Sequence, residues 1–396
     1  MAGEDKLRDL VRTYTDCVRT WRRKIHEIPE LSGEEVETAA LVVSALQGLH
    51  VEVTSQAAGG NGVLVVLHGR NPGRTIALRA DMDALSIEEK TGLSFASQHP
   101  GKMHACGHDA HVAMLLGAVH VLHDMRNQFD GTIKFIFQPA EEKSPEGGAK
   151  NIVASGFLDD VDAIYGLHVW PTLRTGEVGV RTGPVMAASD HVSIQIVGKP
   201  SHAAMPHRGI DAIAAAGQCI TAAQNIISRQ INPLHPAVLT FGKISGGSRY
   251  NIVADTVDIE GTCRTYHKET QDAVEMHLKQ ILKGIDAAFG TTSRLQYDRG
   301  YDAVFNSTAQ AALAAAVVTE RFGHIALADV PEPAMTAEDF SGYLKVCAGA
   351  FLWLGVTAEE AEIYPLHNAC FSVDENSLPI GVELLSALAL SALKQK

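Results

Sequence analysis

The first half of the chain alternates between helical and extended spacings of apolar residues. A helix that ends near Ile28-Pro29 is predicted by apolar residues at intervals of three and four, namely Leu7, Leu10, Tyr14, Val18, Trp21 and Ile25. Ser32 followed by Glu35 is typical of a capping box, which predicts a second helix that extends to about Gly48. Further apolar runs predict strands at 63–67, 75–80, 132–137 and 163–169 and a helix at about 108–125. This alternation indicates an α/β fold in which a mainly parallel sheet is flanked by helices.

The pattern changes at about His191, where apolar and polar residues begin to alternate as in a half-exposed strand. A helix at about 209–229, strands at 237–244 and 254–266, a helix at 269–288 and a strand at 291–297 follow. The order strand, helix, strand, strand, helix, strand predicts an α+β ferredoxin-like unit inserted into the larger domain. We therefore expect a catalytic domain built from residues 1–186 and 300–396, with an inserted satellite or dimerisation domain at 187–299.

Composition argues against several classes of partner. The 396 residues carry a formal charge of -13, and a chain this acidic offers little positive field to nucleic acid. The charged N-terminus lacks the apolar core of a signal peptide, and the longest weakly polar run, 384–393, is far shorter than the ~20 residues of a membrane-spanning helix. Six scattered cysteines without short paired spacings suit a reducing compartment. We expect a cytoplasmic enzyme that acts on a small molecule, with neither nucleic acid nor membrane as a partner.

Candidate metal ligands are concentrated in one segment, Met103-His-Ala-Cys-Gly-His-Asp-Ala-His111, at a predicted loop-to-helix junction. A thiolate and an imidazole two residues apart, as Cys106 and His108 are, can occupy neighbouring positions around one metal ion. The alternative interpretation is a buried helix start with a core cysteine and a capping aspartate. The segment by itself does not decide between the two.

Two carboxylates and two histidines follow further along the chain. Glu141 and Glu142 come directly after a predicted strand, where one carboxylate can coordinate a metal while the other accepts a proton from water. A solvated acidic turn is the alternative. His168 closes another predicted strand, and His367 lies in a Tyr-Pro-Leu-His-Asn segment. Each histidine alone is more often a core or surface residue than a ligand, but their conjunction with the other motifs indicates a metal site.

Together these motifs make the sequence recognisable. It resembles the aminoacylase-like amidohydrolase branch of the dinuclear zinc carboxypeptidase and aminoacylase family, which includes hippurate hydrolases, auxin-conjugate hydrolases and N-acetyl-diaminopimelate deacetylase. The resemblance covers nearly the whole chain and is specific for the family, but it says little about the individual substrate. The motifs that carry it are Arg79-Ala-Asp-Met-Asp-Ala-Leu85, the segment around Cys106, Gln138-Pro-Ala-Glu-Glu142, Gly166-Leu-His168, Ser201-His-Ala-Ala204, Glu338-Asp-Phe340 and Leu366-His367-Asn.

The resemblance implies a zinc-peptidase-like catalytic domain that holds two divalent metal ions. Five side chains are implied as ligands, namely Cys106, His108, Glu142, His168 and His367. Cys106 is the expected bridge, so that one ion contacts Cys106, His108 and His168. The other ion then contacts Cys106, Glu142 and His367. Mixed sulfur, nitrogen and oxygen donors favour zinc, with manganese, cobalt or nickel as alternatives.

The same resemblance implies roles for residues outside the ligand set. Glu141 is the implied general base. His202, in the inserted domain, is the implied donor to the tetrahedral oxyanion, and in the family this residue often acts across a dimer interface. Asn251 and Arg264 are the implied contacts of the substrate's free carboxylate, which an arginine fork binds directionally. A homodimer or homotetramer formed through the satellite domain is expected on the same grounds.

This sequence departs from the wider family at two motifs. Asp81-Met-Asp83 stands where the family usually has His-x-Asp. Asp81 or Asp83 is therefore expected to orient a ligand histidine. Asn251-Ile-Val-Ala254 also differs from the Asn-x-Ile-Pro pattern that is frequent in the family.

The expected function is metal-dependent hydrolysis of the amide bond of N-acyl amino acids, which yields a carboxylic acid and a free amino acid. A dipeptidase or carboxypeptidase of the same fold is the main alternative. A cysteine-nucleophile amidase that uses Cys106 with His108 is a second, and it predicts activity without metal. A non-catalytic metal-binding or ligand-binding relative is a third, which the presence of Glu141 disfavours.

Overall fold

The computed structural model describes the backbone of residues 2–330 and 332–395, and the side chains of these ranges from Lys6 onward. The helices are α1 (Ala2–Glu27), α2 (Val36–Ala45), α3 (His108–Asp124), α4 (Ala149–Ala154), α5 (Ala212–Asn225), α6 (Lys268–Phe289), α7 (Thr308–Phe322) and α8 (Ser377–Leu393). The strands are β1 (Glu52–Ala57), β2 (Gly62–His68), β3 (Thr75–Asp81), β4 (Thr132–Gln138), β5 (Ala163–Arg174), β6 (Val178–Gly179), β7 (Gly183–Met186), β8 (Ala188–Val197), β9 (Ser201–His202), β10 (Ala237–Gly246), β11 (Ile252–Val253), β12 (Thr256–Thr265), β13 (Thr292–Arg299), β14 (Val304–Asn306), β15 (Leu327–Ala328) and β16 (Gly349–Thr357). Among these described residues, no helix has the length and apolar character needed to cross a membrane.

The chain divides into two compact units. The first contains the residues up to Val185, together with Phe305–Pro333 and Asp339–Lys396, and the second contains Met186–Val304 and Ala334–Glu338. The expected insertion at 187–299 and its use in dimerisation stay predictions.

An eight-stranded mixed sheet organises the first unit, with strand order β1-β2-β4-β3-β5-β16-β6-β15. Its four middle strands, β4, β3, β5 and β16, run parallel to one another, whereas β1 and β2 are antiparallel additions at one side. Every residue of β3 and β16 is buried, as expected for strands of a parallel sheet that is covered on both faces. Helix α3 packs against both α1 and α8. The predicted α/β class with a mainly parallel central sheet is confirmed.

The start of α2 differs from the prediction. The carboxylate of Glu30 accepts the N–H groups of Val36, Glu37 and Thr38 at 2.8–3.0 Å, so Glu30 satisfies the first turn of the helix. Ser32 instead donates its hydroxyl to a distant aspartate, and Glu35 makes no side-chain cap. The predicted capping box was therefore wrong, and the helix begins later and ends earlier than expected.

The second unit contains a four-stranded antiparallel sheet with order β10-β12-β8-β13. Helices α5 and α6 pack on this sheet and on each other. Along the chain the elements follow the order β8, α5, β10, β12, α6, β13, as predicted for a ferredoxin-like unit. Asp211 caps α5 by accepting the N–H groups of Ile213 and Ala214, which explains why this helix starts slightly later than the sequence suggested.

Candidate metal centre

Cys106 and His108 lie on either side of Gly107, at the beginning of α3. Gly107 has φ +85° and approaches β5 so closely that a Cβ atom there would lie 2.4 Å from Val169 Cγ2. Only glycine tolerates both the left-handed backbone and this close contact. The cysteine and the histidine are therefore fixed against the neighbouring strand, and both side chains are buried.

Glu141 and Glu142 follow β4 at its carboxyl end. Between the strand and the two glutamates, Ala140 adopts the left-handed region with φ +59°, which turns the chain sharply. Glu141 is buried, whereas Glu142 is partly accessible. The solvated acidic turn considered from the sequence is therefore not what the structure contains.

The two remaining predicted ligands come from different settings. His168 lies in the middle of β5, because the strand continues to Arg174; the expectation that this histidine closes the strand was wrong. His367 lies in the segment between β16 and α8, has φ +64°, and donates its backbone N–H to the carbonyl of Ala105 at 2.8 Å. That bond attaches the His367 segment to the loop that precedes Cys106.

The folded chain brings all five predicted ligands together in two groups that share one sulfur atom. Donor atoms of Cys106, His108 and His168 lie within 4.8 Å of one another, and so do those of Cys106, Glu142 and His367. Cys106 Sγ is 3.4 Å from His168 Nε2, and Glu142 Oε1 is 3.1 Å from His367 Nε2. A third group joins His108, Glu141 and Glu142. The geometry allows two adjacent cation sites with a common thiolate, while the individual ligand roles stay predictions.

Hydrogen bonds leave coordinating atoms available on the two buried histidines. His168 Nδ1 donates to its neighbour's carbonyl, Val169 O, at 2.7 Å, so the lone pair resides on Nε2, which points at Cys106. Both ring nitrogens of His108 are buried without a hydrogen-bond partner, although Asp83 Oδ1 lies 3.3 Å from Nδ1. Buried nitrogens of this kind are costly unless an additional ligand completes their coordination.

The electrostatics of the cluster also fit a cation. Burial and the carboxylates of Glu142 and Glu141 raise the pKa of the Cys106 thiol well above its usual range. Burial lowers the pKa of His108, but the neighbouring Asp81 and Asp83 outweigh burial and raise that pKa to about 10. The donors are thus surrounded by negative charge, and a divalent ion would supply the compensating positive charge and keep the thiol deprotonated.

His111 is a residue of this cluster to which the sequence analysis assigned no role. Its Nδ1 lies 2.5 Å from Asp81 Oδ1, and its Nε2 accepts the backbone N–H of Val169 at 2.9 Å. Both ring nitrogens are thereby occupied, so His111 links the end of β3 to β5 next to His168 instead of offering a free ligand atom. Its position three residues after His108, one turn along α3, was the signal in the sequence.

A buried arginine forms hydrogen bonds to residues next to the cluster. Arg79 is 1% exposed and donates to Asp81 Oδ2 at 2.6 Å, to Gln138 Oε1 at 2.9 Å and to Asp339 Oδ1 at 2.9 Å. Tyr343 donates its hydroxyl to the same Gln138 oxygen at 2.8 Å. Burial raises the pKa of Asp81, but Arg79 and the adjacent histidines outweigh burial and hold the pKa well below its usual range. The arginine therefore keeps Asp81 ionised and ties the ends of β3 and β4 together.

Asp83, the other predicted supporting carboxylate, contacts both halves of the cluster. Besides lying 3.3 Å from His108 Nδ1, Asp83 accepts the backbone N–H of Glu142 at 2.8 Å and the hydroxyl of Ser32 at 2.6 Å. Its side chain is fully buried. Asp83 is therefore placed to orient one predicted ligand and to fix the backbone of another.

The three predicted substrate residues lie in the second unit. His202 belongs to β9 and pairs with Ile252 of β11, and Asn251, which directly precedes β11, accepts the N–H of Ala203 at its carbonyl at 3.1 Å. Asn251 Oδ1 is buried without a hydrogen-bond partner. Arg264 lies on the four-stranded sheet, in β12, where it is partly buried opposite Ser189 and Val238.

A pair of adjacent cation sites beside a buried glutamate, at the carboxyl ends of parallel strands, is typical of metal-dependent hydrolases with two ions. The profile of peptidase family M20/M25/M40 matches residues 77–391. The chain is 42% identical over 359 residues to an N-acetyl-L-cysteine deacetylase of Bacillus subtilis (strain 168), covering 90% of this chain and 83% of that protein. It is 37% identical over 387 residues to thermostable carboxypeptidase 1 of Saccharolobus solfataricus, covering 98% of each.

A solved structure agrees with these sequence relatives. The crystal structure of a Bacillus subtilis protein described as a dinuclear metal binding peptidase from the M20 family superposes with a TM-score of 0.85 and 34% identity, covering 97% of this chain and 100% of that one. The chain belongs to peptidase family M20/M25/M40. The predicted family and the prediction of a hydrolase are confirmed.

Replacement of Arg79 tests how much the buried carboxylates depend on it. Arg79→Met should lower the free energy of unfolding by about 3–5 kcal/mol, because removal of one partner leaves buried charges uncompensated. Tyr343→Phe, in the same cluster, should cost only about 1 kcal/mol, because it removes a neutral hydrogen bond. Urea unfolding of the chelator-treated proteins measures both values. Equal costs for the two variants would contradict the assigned role of Arg79.

Proposed function

We propose that this enzyme hydrolyses the amide bond of N-acyl amino acids with two divalent metal ions held by the five clustered side chains. The observation that supports this most strongly is the pair of donor groups that share Cys106 Sγ, next to Glu141. The chain is 42% identical to a relative named an N-acetyl-L-cysteine deacetylase, and this similarity supports the substrate class. Zinc is the favoured ion because sulfur, nitrogen and oxygen donors are combined, and manganese, cobalt and nickel are alternatives.

Bound ions of this kind lower the pKa of water towards neutrality and polarise the acyl carbonyl. The chain's own residues supply the remaining steps. Glu141, as general base, takes the proton of the attacking water and returns it to the leaving amine. Asp83 and Asp81 hold His108 and His111 in place, and the hydrogen bond to Val169 O keeps His168 in the tautomer that presents Nε2.

Residues of the second unit are proposed to act on the substrate. His202 is the candidate donor to the developing oxyanion, a contact whose loss typically costs ~100-fold in rate. Asn251 and Arg264 are the candidates for binding the free carboxylate of the amino-acid half. The buried and unpartnered Oδ1 of Asn251 supports a polar contact there that the chain alone does not provide.

Assembly and location are proposed on less specific grounds. The family resemblance favours a homodimer or homotetramer formed through the satellite domain. All six cysteines are free thiols, which suits the cytoplasm.

A carboxypeptidase or dipeptidase activity is the second candidate, because one relative carries that name at 37% identity over nearly the whole chain. The same ligands and the same base would serve it. A Cys106 nucleophile is less well supported, because burial and adjacent carboxylates keep the thiol protonated without a cation.

A substrate panel tests the proposed function directly. The enzyme, reconstituted separately with zinc, manganese, cobalt and nickel, should hydrolyse N-acetyl or N-benzoyl amino acids faster than dipeptides, measured by release of the free amine. Removal of the ions with a chelator should abolish turnover, and readdition should restore it. Activity that survives complete metal removal would support the cysteine nucleophile, and a preference for dipeptides would support the peptidase.

Glu141→Gln separates proton transfer from metal binding. The variant keeps the shape of the side chain but cannot accept a proton, so turnover should fall ~100- to 10,000-fold. The metal content per chain, measured by elemental analysis, should stay at the wild-type value because Glu142 remains in place. Retained turnover would remove Glu141 from the mechanism, and lost metal would make Glu141 a ligand instead.

Arg264→Lys tests recognition of the free carboxylate. Lysine keeps the charge but loses the two-pronged contact, so KM for an N-acyl amino acid should rise about 10- to 100-fold, since a hydrogen bond to a charged group is worth ~1.5–3 kcal/mol. The matched control is the same substrate with its carboxylate converted to an amide. If the substitution raises KM for the amide as much as KM for the acid, Arg264 does not bind the carboxylate.

A further inference from the structure

The turn that carries Glu141 is anchored on both sides by buried carboxylates. The residue before it, Ala140, donates its backbone N–H to Glu35 Oε1 at 2.8 Å. The residue after it, Glu142, donates its backbone N–H to Asp83 Oδ2 at 2.8 Å. The backbone N–H groups of the two residues that flank Glu141 are therefore each held by a different acidic side chain.

Glu35 is an unusual residue for a purely local role. It is fully buried, and burial raises the pKa of its carboxyl, opposed by the backbone N–H groups of Gly33 and Ala140. Although it directly precedes α2, it does not cap that helix, which Glu30 does. A carboxylate is expensive to bury without compensating contacts. Glu35 reaches beyond its own segment through its bond to Ala140, which is 105 residues away in the turn that precedes the proposed ligand Glu142.

Ala140 explains why this turn needs an anchor. Its φ of +59° lies in the left-handed region, which costs a residue with a side chain roughly 1–2 kcal/mol relative to the usual backbone. A strained residue of this kind persists only where the surroundings fix it. Without the bond to Glu35, the peptide that precedes Glu141 can relax to an ordinary conformation, and the direction of the Glu141 side chain changes with it.

We propose that Glu35 is a positioning residue that aims Glu141 at the attacking water by holding the amide of Ala140. The proposal rests on the proposed function, because it takes Glu141 as the general base. Glu35 acts on the base and not on the ions, since the backbone of the ligand Glu142 is held separately by Asp83. Loss of Glu35 should therefore reduce catalysis while the metal stays bound.

Three substitutions of Glu35 test whether the length of its side chain, its charge or its acceptor oxygen is needed. Glu35→Ala removes the acceptor, and Glu35→Asp keeps the charge but is one methylene shorter. Both should lower kcat ~100-fold with KM and metal content unchanged, because a displacement of about 1 Å can cost that much. Glu35→Gln retains Oε1, which accepts both amides, and should restore kcat to within a few-fold of wild type. Should Glu35→Ala fail to fold, the comparison of Asp with Gln still decides the question.

Glu30→Ala is the matched control, because Glu30 is a buried glutamate of the same segment whose carboxylate accepts amides of α2. It should reduce stability while leaving kcat of the folded enzyme unchanged. Hydrogen exchange measured by mass spectrometry provides a readout without substrate. Glu35→Ala should accelerate exchange in the peptide spanning 138–142, whereas Glu30→Ala should accelerate it at 36–38.

The outcomes distinguish the two proposals. Wild-type kcat in Glu35→Ala and Glu35→Asp, in an enzyme that does hydrolyse N-acyl amino acids, overturns the positioning role and leaves the proposed function intact. Loss of bound metal in these variants also overturns the positioning role, because metal loss would mean that Glu35 holds the metal ligands in place instead of the base. If the wild-type enzyme hydrolyses no N-acyl amino acid, the proposed function fails, and unchanged exchange at 138–142 then overturns the anchoring by Glu35.

Discussion

Compensation of buried negative charge is the constraint on which the first unit depends. Asp81, Asp83 and Glu141 are all buried near the carboxyl ends of β3 and β4. Arg79, which lies in β3, offsets part of this charge through its ion pairs with Asp81 and Asp339. A protonated His108 can also supply positive charge, because Asp81 and Asp83 raise its pKa to about 10. Protons and divalent cations therefore compete for one set of donors, and metal binding releases protons.

Hydrogen bonds decide which of the clustered histidines can bind an ion. His111 uses one nitrogen as a donor to Asp81 and the other as an acceptor from Val169 N–H, so it is saturated. His168 uses only Nδ1, towards a carbonyl, and keeps Nε2 available. The two rings are packed edge to face at 4.7 Å between centroids, yet their chemical roles differ. The difference arises because His111 has two partners, Asp81 and the N–H of Val169, whereas His168 has only the carbonyl of Val169 as a hydrogen-bond partner on Nδ1.

The sequence predicted the elements, and which distant residues come together, better than it predicted the supporting contacts. Apolar periodicity located α3, β3 and β4 to within a residue or two, because these elements are buried and their patterns are continuous. The capping box failed because Ser32 and Glu35 have tertiary partners in Asp83 and Ala140, and those partners outcompete the local motif.

Supporting residues were harder to foresee for a related reason. Arg79 and Asp339 are separated by 260 residues, and nothing local distinguishes an aspartate that will meet a buried arginine from one that will be solvated. His111 was visible as a residue type in the same segment as the ligands, but its role depends on which atoms face its two nitrogens. The candidate ligands of a metal centre can thus be inferred from residue types in chain order. The contacts that hold those ligands in position are visible only in the folded structure.

The clustered ligands do not by themselves separate a deacylase from a carboxypeptidase. An N-acyl amino acid and a dipeptide present the same amide and the same free carboxylate, and they differ by the ammonium group on the acyl side of the dipeptide. The proposed base and metal pair would meet both amides in the same way. Discrimination must therefore come from the residues that face the acyl group: an apolar wall rejects an ammonium ion because its desolvation is uncompensated, whereas a carboxylate there accepts it. Relatives with both names can share close sequence similarity with one chain, because a few side chains outside the metal centre suffice to change the preferred substrate.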